Sequence, residues 1–377
     1  MAGNTQRVTH PPTNGRSDGL YFVLISVHGL IRGDELELGR DADTGGQTKY
    51  VIELARALAA LPEVEQVDLL TRRVIDSKVA ADYSQPEEDL GNGARIVRLP
   101  CGPRRYLRKE VLWPYLDGFT DQALQHIRGV GRVPDIIHSH YADAGYVGAH
   151  LAGILNVPLV HTGHSLGRDK KQRLLARGIK PENIESQYNM STRIEAEEYT
   201  LDTAALVIAS TQQEIEEQYK LYDHYQPKLM AVIPPGIQLD RFYPPKRGWA
   251  DPPIKTQVDK FLDSPKKPII LALSRADVRK NVRSLVTAYG ENPRLQELAN
   301  LVTIVGNRDD PSHMEKESRE VFTEFLYLVD KYDLYGKIAY PKHHDPDDVP
   351  DLYRLVTRSR GVFINPALTE PFGLTLI

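Results

Sequence analysis

The sequence of 377 residues has a single cysteine, Cys101, and so cannot form an internal disulfide. A lone thiol suits a reducing compartment, and we expect the cytoplasm. Long hydrophobic runs are missing as well, because no apolar stretch approaches the roughly 18 residues that a membrane-spanning helix needs. Residues 1–19 are polar, rich in turn formers and without the apolar segment of a signal peptide, which predicts a disordered tail.

The sequence also lacks a strong excess of one charge, since 47 Lys and Arg stand against 51 Asp and Glu for a net charge of -4. This balance gives no overall attraction to nucleic acid or anionic lipid, so the expected partners are small molecules bound where basic residues cluster. No GxGxxG fingerprint is present, which disfavours a nicotinamide dehydrogenase. The histidines and aspartates between His343 and Asp348 fit no established ligand spacing, and no metal site is predicted.

What the sequence does contain is a regular alternation of short β-branched runs with helical patterns, as in βαβ units and parallel sheets. The predicted strands of the first half are LYFVLISVH, VDLLTR, ARIVRLP, DIIHSH, PLVHTGH, ALVIAS and MAVIPPG. After the first strand, the helical pattern GQTKYVIELARALAAL places Tyr50, Leu54, Ala57, Leu58 and Leu61 on one face.

Residues 241–268 break this alternation, because six prolines fall among few periodic apolar positions. We predict a linker there, between an N-terminal domain of residues 20–240 and a C-terminal domain of residues 269–377. The second domain has predicted strands at PIILALSR, LVTIVGN, KIAYPK and GVFINPAL, and helices from Val282, around 321–334 and near Leu352. The predicted fold class is α/β, with two Rossmann-like, doubly wound parallel-sheet domains facing a cleft.

Ligands of an open parallel sheet bind beyond the carboxyl ends of its strands, so the loops there hold the candidate site residues. Gly45 and Gly46 stand at a helix start, where bare amides could approach phosphate oxygens, although such pairs also occur in plain turns. Arg275 and Lys280 follow a strand and could converge on one diphosphate, or form a solvated basic turn. Glu370 follows the last strand and could bind sugar hydroxyls, or interact favourably with the dipole of the following helix.

Two further features lie in the first half. Four basic residues cluster between Arg104 and Lys109, and they could bind a phosphomonoester or form an ordinary solvent-exposed surface. His161 and His164 flank a glycine at a strand end, where an imidazole could contact a reacting sugar or be part of the hydrogen-bonded structure.

Ten stretches stand in colinear order from about Leu20 to Ile377. They are HGLIRGDELELGRDADTGGQTKYVIELARALA, CGPRRYLRKEVLWP, HSHYADAG, HTGHSLGR, RIEAEE, VIPPGI, LALSRADVRKN, GNRDD, YDLYGKIAYPKHH and NPALTEPFGLTLI. Together they resemble the sucrose-phosphate synthase family, and their combination is more specific than any one motif. The resemblance implies a retaining, metal-independent glycosyltransferase of the two-domain GT-B type.

The resemblance implies transfer of glucose from UDP-glucose to fructose 6-phosphate, giving sucrose 6-phosphate and UDP without a cofactor. The implied mechanism is front-face substitution, in which the leaving phosphate helps to deprotonate the attacking hydroxyl. Sucrose-phosphate phosphatase is the implied pathway partner.

The resemblance also implies roles for residues of this sequence. Gly45 and Gly46 would face the donor diphosphate and the sugars, with Gly46 and Gln47 near the acceptor. Arg275 and Lys280 would be catalytic residues that neutralise UDP as it leaves.

Four more side chains receive roles in the same way. Lys109 and Arg193 would contact the acceptor phosphate, and His164 would be a catalytic residue close to the transferred glucose. Glu370 matches the first acid of a family motif with two glutamates, and it would act in catalysis and donor binding. The amides implied to face glucose hydroxyls are those of Phe372, Gly373 and Leu374.

The sequence departs from the family pattern at its end, because the second glutamate of the motif would follow Ile377 directly. The C-terminal domain is therefore expected to be incomplete, and the activity of the chain itself stays open. Two other functions also stay open. One is a sucrose synthase that uses free fructose, and the other is a non-catalytic remnant that binds hexose phosphate through its first domain.

Overall fold

The structure is a computed structural model that describes residues 19–37, 41, 43–237, 239–368, 373 and 375, which form two compact units divided between Ile233 and Pro234. The strands are β1 (Leu20–Ile25), β2 (Val64–Arg72), β3 (Glu87–Gly91), β4 (Ala94–Leu99), β5 (Ile136–His140), β6 (Leu159–Thr162), β7 (Leu206–Ala209), β8 (Met230–Val232), β9 (Ile269–Leu273), β10 (Asn300–Ile304), β11 (Ile338–Ala339) and β12 (Val362–Phe363). The α-helices are α1 (Gly46–Ala59), α2 (Leu116–Val130), α3 (Ala142–Leu155), α4 (Gly167–Ala176), α5 (Pro181–Tyr188), α6 (Met190–Thr203), α7 (Pro253–Asp259), α8 (Val282–Gly290), α9 (Pro293–Leu298), α10 (Lys316–Lys331) and α11 (Asp348–Arg358).

The first unit is built on an eight-stranded sheet in the order β3-β4-β2-β1-β5-β6-β7-β8. Every described pairing is parallel except that of β3 with β4. The parallel strands from β4 to β7 follow the 3-2-1-4-5-6 order of a doubly wound sheet. Side chains of β1 alternate between two cores, so Val23 packs on the face of α2 and α3 while Leu24 packs on that of α1.

The second unit has a four-stranded parallel sheet in the order β11-β10-β9-β12. Ile270 of β9 packs in the core with Val286 of α8 and Phe325 of α10. Leu271 points to the opposite face and packs in a core that includes Leu355 of α11. Both units are α/β with helices on both faces of a largely parallel sheet, which confirms the predicted fold class.

The segment 241–268, predicted as a linker, contains helix α7. Ile254 and Val258 of this helix are fully or almost fully buried in the core of the second unit. The apolar spacing of these two side chains gives the segment a packed face despite its prolines. The structure therefore places part of this segment within the second unit, and the predicted domain boundaries stay a prediction.

Two sequence predictions in the first unit need correction. Strand β3 was not predicted, although the Asn92–Gly93 pair that joins it to β4 is a typical hairpin turn, with φ angles of +52° and +83°. The predicted apolar face of α1 was wrong in part, because Ala57 and Leu61 are exposed whereas Val51, Ile52 and Ala55 are buried. Leu61 lies beyond the end of α1, where helical periodicity no longer applies.

Within the described residues, no helix has both the length and the apolar character needed to span a membrane.

Candidate active site

The first unit has its topological switch point between β1 and β5, and ligands bind at the carboxyl edge of such a point. The loop after β1 leads to Gly45 at the start of α1. At the same edge β5 ends with His140, and His164 follows β6 closely. Of the predicted residues, Gly45 and His164 thus lie along the carboxyl edge of the sheet.

Gly45 and Gly46 begin helix α1, and a Cβ atom built at either would meet no described atom within 4 Å. The first turn is fixed by Thr48, whose amide and hydroxyl donate to the Gly45 carbonyl oxygen at 3.1 and 2.7 Å. The N-terminus of this 14-residue helix therefore stands beside open space with no side chain in the way. Such a helix end can bind an anion through its amides and its dipole.

Gln47 fixes the start of α1 against the two central strands. Its side-chain amide donates to Ser26 Oγ at 3.2 Å and to the His140 carbonyl oxygen at 3.3 Å. Ser26 follows β1 directly and His140 ends β5, so these two bonds hold the glycine pair over the switch point.

His164 is half-buried and has a φ of +56°, which is uncommon for a residue other than glycine and costs on the order of 1–3 kcal/mol. Its Nε2 lies 3.1 Å from Nδ1 of His140, and its ring meets Tyr50 edge-on with centroids 5.1 Å apart. Burial lowers the pKa of His164 to about 3. The imidazole is therefore neutral at pH 7, and it can contact a sugar hydroxyl without adding charge.

Two more histidines lie behind this pair. The ring of His138 packs on His140 with centroids 4.2 Å apart, and its Nε2 lies 2.9 Å from Thr162 Oγ1. His161 Nδ1 lies 2.9 Å from Ser139 Oγ. Burial lowers the pKa of His138 to about 3 and that of His161 to about 4. Of the predicted pair His161 and His164, the first is thus buried and bonded within the sheet, and only the second reaches the surface.

Lys109 and Arg193 line one pocket although they are distant in sequence. The lining residues are Lys109, Glu110, Trp113, Tyr141, Asp143, Lys170, Tyr188 and Arg193. Tyr141 and Asp143 follow β5 directly and were missed by sequence reasoning, although their position at a strand's carboxyl end was a usable signal.

Lys109 is held by two carboxylates. Its ammonium forms an ion pair with Asp43 and a second with Glu110 at 3.5 Å, and its amide donates to Asp43 Oδ2 at 2.9 Å. Burial alone would raise the pKa of Asp43, but His28 and Lys109 hold it below its usual value. The Asp43 carboxylate therefore keeps its charge and anchors Lys109 at the pocket.

Arg193 of α6 is only 3% exposed. Its Nε donates to Glu197 at 2.9 Å, one terminal nitrogen donates to the Ser165 carbonyl oxygen at 2.7 Å, and its guanidinium lies 4.6 Å from the centroid of the Tyr141 ring. Burial alone would lower the pKa of Arg193, but Glu197 raises it above its usual value. The guanidinium is thus a fixed, charged wall of the pocket.

The basic cluster between Arg104 and Lys109 does not act as one surface. Arg104 lines a separate pocket with Arg73 and Cys101, whereas Arg108 pairs with Glu110 at 3.4 Å. Burial raises the pKa of the Cys101 thiol to about 11, so this cysteine is protonated at neutral pH. Of the cluster, Lys109 is the residue that joins Arg193.

In the second unit the switch point lies between β9 and β12, and the predicted cations stand in the loop after β9. Arg275 is exposed, and Lys280 is half-buried at the end of a 3-10 turn. Asn281 has a φ of +53°, and its side-chain amide donates to the Pro366 carbonyl oxygen at 3.1 Å. The amide of Leu368 donates to the Arg279 carbonyl oxygen at 2.8 Å. These bonds join the loop after β9 to the loop after β12, which leads to Glu370.

The predicted residues Glu370, Phe372 and Leu374 lie outside the described residues. Gly373 is described, and it is buried with a φ of +78°, a conformation that favours glycine. Among the described parts of the chain, no group of three or more His, Cys, Asp or Glu side chains is arranged to hold a metal ion.

Two family models match the chain. The glycosyl transferase 4-like domain matches residues 45–236, and the glycosyl transferases group 1 model matches residues 254–377. The chain belongs to the glycosyl transferase 4-like family. The probable sucrose-phosphate synthase 1 of Oryza sativa subsp. indica is 49% identical over 420 residues, which cover 95% of this chain and 39% of that protein.

Two further comparisons of this glycosyl transferase 4-like protein also find sucrose-phosphate synthases. The sucrose-phosphate synthase of Zea mays is 49% identical over 423 residues, covering 95% of this chain and 40% of that protein. The solved sucrose-phosphate synthase of Thermosynechococcus elongatus superposes with a TM-score of 0.69 at 27% identity, covering 94% of this chain and 77% of that one. The GT-B fold and the resemblance to sucrose-phosphate synthase are thus confirmed. The chain spans about two fifths of the length of the curated relatives it matches.

Proposed function

We propose that the protein is a retaining hexosyltransferase that moves glucose from UDP-glucose to fructose 6-phosphate, giving sucrose 6-phosphate and UDP. The observation that carries this proposal is the pocket in which Lys109 and Arg193 meet. A phosphorylated acceptor requires a cationic pocket at the carboxyl edge of the first sheet, and free fructose does not. The pocket therefore favours this acceptor over the one that a sucrose synthase uses.

The charges of the pocket support a phosphate monoester as its ligand. Three cationic side chains, those of Lys109, Lys170 and Arg193, line it together with two carboxylates. The buried guanidinium of Arg193 is rigid and forms charge-assisted hydrogen bonds in a fixed direction. Only a phosphorylated sugar can accept charge-assisted hydrogen bonds from Lys109 and Arg193 through a phosphate, and this gain is the source of the proposed acceptor preference.

The proposed roles of the donor-site residues depend on the negative charge that develops on the departing diphosphate. In the first unit, the amides at Gly45 and Gly46 offer donors to this charge, and the neutral imidazole of His164 contacts the transferred glucose. In the second unit, Arg275 and Lys280 are the proposed cations. Preorganised donors and cations of this kind stabilise a transition state most where its charge grows. We propose that neither a metal nor a cofactor is required.

The acceptor assignment is tested by comparing fructose with fructose 6-phosphate as acceptors for the Lys109→Ala variant. We expect kcat/KM for the phosphorylated acceptor to fall about 100-fold or more relative to the value for fructose, because the phosphate loses a cation that free fructose does not need. The matched control is Arg104→Ala, which removes a cation of the same sequence cluster from a different pocket. An unchanged phosphate preference in Lys109→Ala would show the assignment to be wrong.

The donor assignment is tested with Arg275→Ala and Lys280→Ala. Each should lower kcat about 100-fold or more, because losing one preorganised group at a developing charge costs about 3–4 kcal/mol. Arg283→Ala is the control, since this arginine is 71% exposed and pairs with Glu324 on the outside of the unit. Near-normal turnover in both test variants would refute the roles proposed for these cations.

The same assays distinguish a glucosyltransferase from a non-catalytic protein that only binds hexose phosphate. A protein that binds fructose 6-phosphate with Lys109-dependent affinity but never forms sucrose 6-phosphate would favour it. A cytoplasmic location and sucrose-phosphate phosphatase as the pathway partner stay predictions.

A further inference from the structure

His140 stands directly behind His164 and is fully buried. Its Nδ1 lies 3.1 Å from Nε2 of His164, and within the described residues this is the one hydrogen bond of the His164 ring. His138 packs on the inner face of His140 with ring centroids 4.2 Å apart. Tyr50 meets both partners edge-on, with centroids 5.8 Å from His140 and 5.1 Å from His164. The two imidazoles are therefore held in one relative orientation.

The hydrogen bond between two neutral imidazoles has a direction, because one ring must donate and the other must accept. If His140 donates from Nδ1, its Nε2 is a bare acceptor. If His164 donates from Nε2 instead, Nε2 of His140 must carry a proton. Among the described residues, Nε2 of His140 is buried and has no hydrogen-bond partner. A buried N–H without a partner is rarer in proteins than a buried acceptor without one, so the first arrangement is favoured.

We infer that His140 is a positioning residue that holds His164 in the tautomer with its proton on Nδ1. In this tautomer Nε2 of His164 faces His140 as an acceptor, and Nδ1–H is the single donor that the ring offers to a ligand. For catalysis the inference rests on the proposed function, in which His164 contacts the transferred glucose. A donor at that position binds a sugar oxygen, whereas the other tautomer would present an acceptor.

The backbone around His140 supports this role, because it is tied to the same helix that carries the glycine pair. The side chain of Gln47 donates to the His140 carbonyl oxygen at 3.3 Å. On the far side, the bond between His138 Nε2 and Thr162 Oγ1 at 2.9 Å fixes the ring on which His140 packs. A ring fixed from both sides keeps its Nδ1 within hydrogen-bond distance of His164.

The test is a measurement of the His164 tautomer by long-range proton–nitrogen NMR on protein with labelled histidine rings. We expect the wild-type protein to show His164 with a protonated Nδ1. His140→Phe removes the donor, and His164 should then show the tautomer mixture of an unrestrained imidazole. His140→Asn can still place a donor at the position of Nδ1, and it should retain the wild-type tautomer. His164 protonated on Nε2 in the wild type, or a His140→Phe variant with an unchanged tautomer, would overturn the inference.

The kinetic readout separates this inference from the proposed function. In His140→Phe, kcat should fall about tenfold with little change in KM for the acceptor, and His140→Asn should restore most of it, as for other partners that orient a functional histidine. If the wild type shows the expected tautomer but no transfer of glucose, the proposed function fails and the positioning role stands. If His140→Phe does not fold, the wild-type and His140→Asn spectra still decide the question.

Discussion

Asp68 shows how one buried carboxylate joins several elements of the first unit. It has no exposed surface and lies in β2, where it accepts hydrogen bonds from Tyr21 of β1 at 2.8 Å, Arg95 of β4 at 2.8 Å and His126 of α2 at 2.7 Å. Burial alone would raise the pKa of Asp68, but the hydrogen bonds from His126 and Arg95 hold it well below its ordinary value of 3.8.

This lowered pKa predicts a pH dependence of stability. Because the folded protein binds the proton of Asp68 less readily than the unfolded chain does, the stabilisation is present above about pH 4 and is lost as the pH falls towards the folded pKa. We expect Asp68→Asn to lower the free energy of unfolding at pH 7 by about 2–4 kcal/mol, and to flatten its decline between pH 5 and pH 3.

Urea unfolding followed by circular dichroism between pH 7 and pH 3 measures both effects. Asp121→Asn is the control, because this aspartate is exposed on α2 and should change stability by less than about 0.5 kcal/mol. If Asp68→Asn had the acid sensitivity of the wild type, the carboxylate would not be a source of the pH dependence.

The resemblance named Lys109 and Arg193 as candidates for one ligand, but the sequence did not predict how these side chains are held. Lys109 and Arg193 were assigned by resemblance, and the structure places both in one pocket. The restraint of Lys109 by Asp43 was not predictable, since it depends on a contact between two loops distant in sequence. The stacking of Arg193 on Tyr141 depends in the same way on the packing of α6 beside the end of β5.

Among the elements, the hairpin of β3 and β4 offers the sharpest test of local conformation. Gly93 has a φ of +83°, and a Cβ atom there would lie 2.5 Å from the Glu65 carbonyl oxygen. Gly91 has a φ of +87°, but a Cβ atom there would meet no described atom within 4 Å. A substitution at either glycine would strain the backbone, but only a substitution at Gly93 would also cause a collision.

We expect Gly93→Ala to lower the free energy of unfolding by at least about 1 kcal/mol more than Gly91→Ala, whose cost should be about 1–2 kcal/mol from backbone strain alone. The collision would also weaken the bond from the Val67 amide to the Gly93 carbonyl oxygen, now 3.1 Å long. Urea midpoints of the two variants measure the difference. Equal destabilisation would mean that Glu65 moves aside freely.

Elements with a strong apolar pattern were predictable, and those defined by polar contacts were not. All predicted strands are present, as β1, β2 and β4 to β12, because each is a short apolar run between turn residues. Strand β3 was missed because its sequence, EEDLG, is charged, as suits an edge strand. The helical face of α1 was shifted because Leu54 and Leu58 lie at the margin of its buried stripe.

On the scale of the whole molecule, each unit has hydrophobic cores made of its own residues. The described core clusters of the first unit contain no side chain after Met230, and those of the second contain none before Trp249. A unit with a complete core of its own can fold independently.

We therefore expect residues 1–233 expressed alone to unfold cooperatively in urea, at a midpoint close to one of two transitions in the whole protein. Circular dichroism of the fragment and of the whole chain makes this comparison. The fragment should also bind fructose 6-phosphate, because it contains the pocket of Lys109 and Arg193. A fragment that is unfolded or aggregated in dilute buffer would show that the first unit depends on the second.

The reversal of strand order occurs once in each sheet, between β1 and β5 and again between β9 and β12. Each reversal makes a crevice from the strands of its own unit. The pocket of Lys109 and Arg193 is lined by residues of the first unit alone, so a substitution there should alter the proposed acceptor contacts while the loops after β9 and β12 keep their structure.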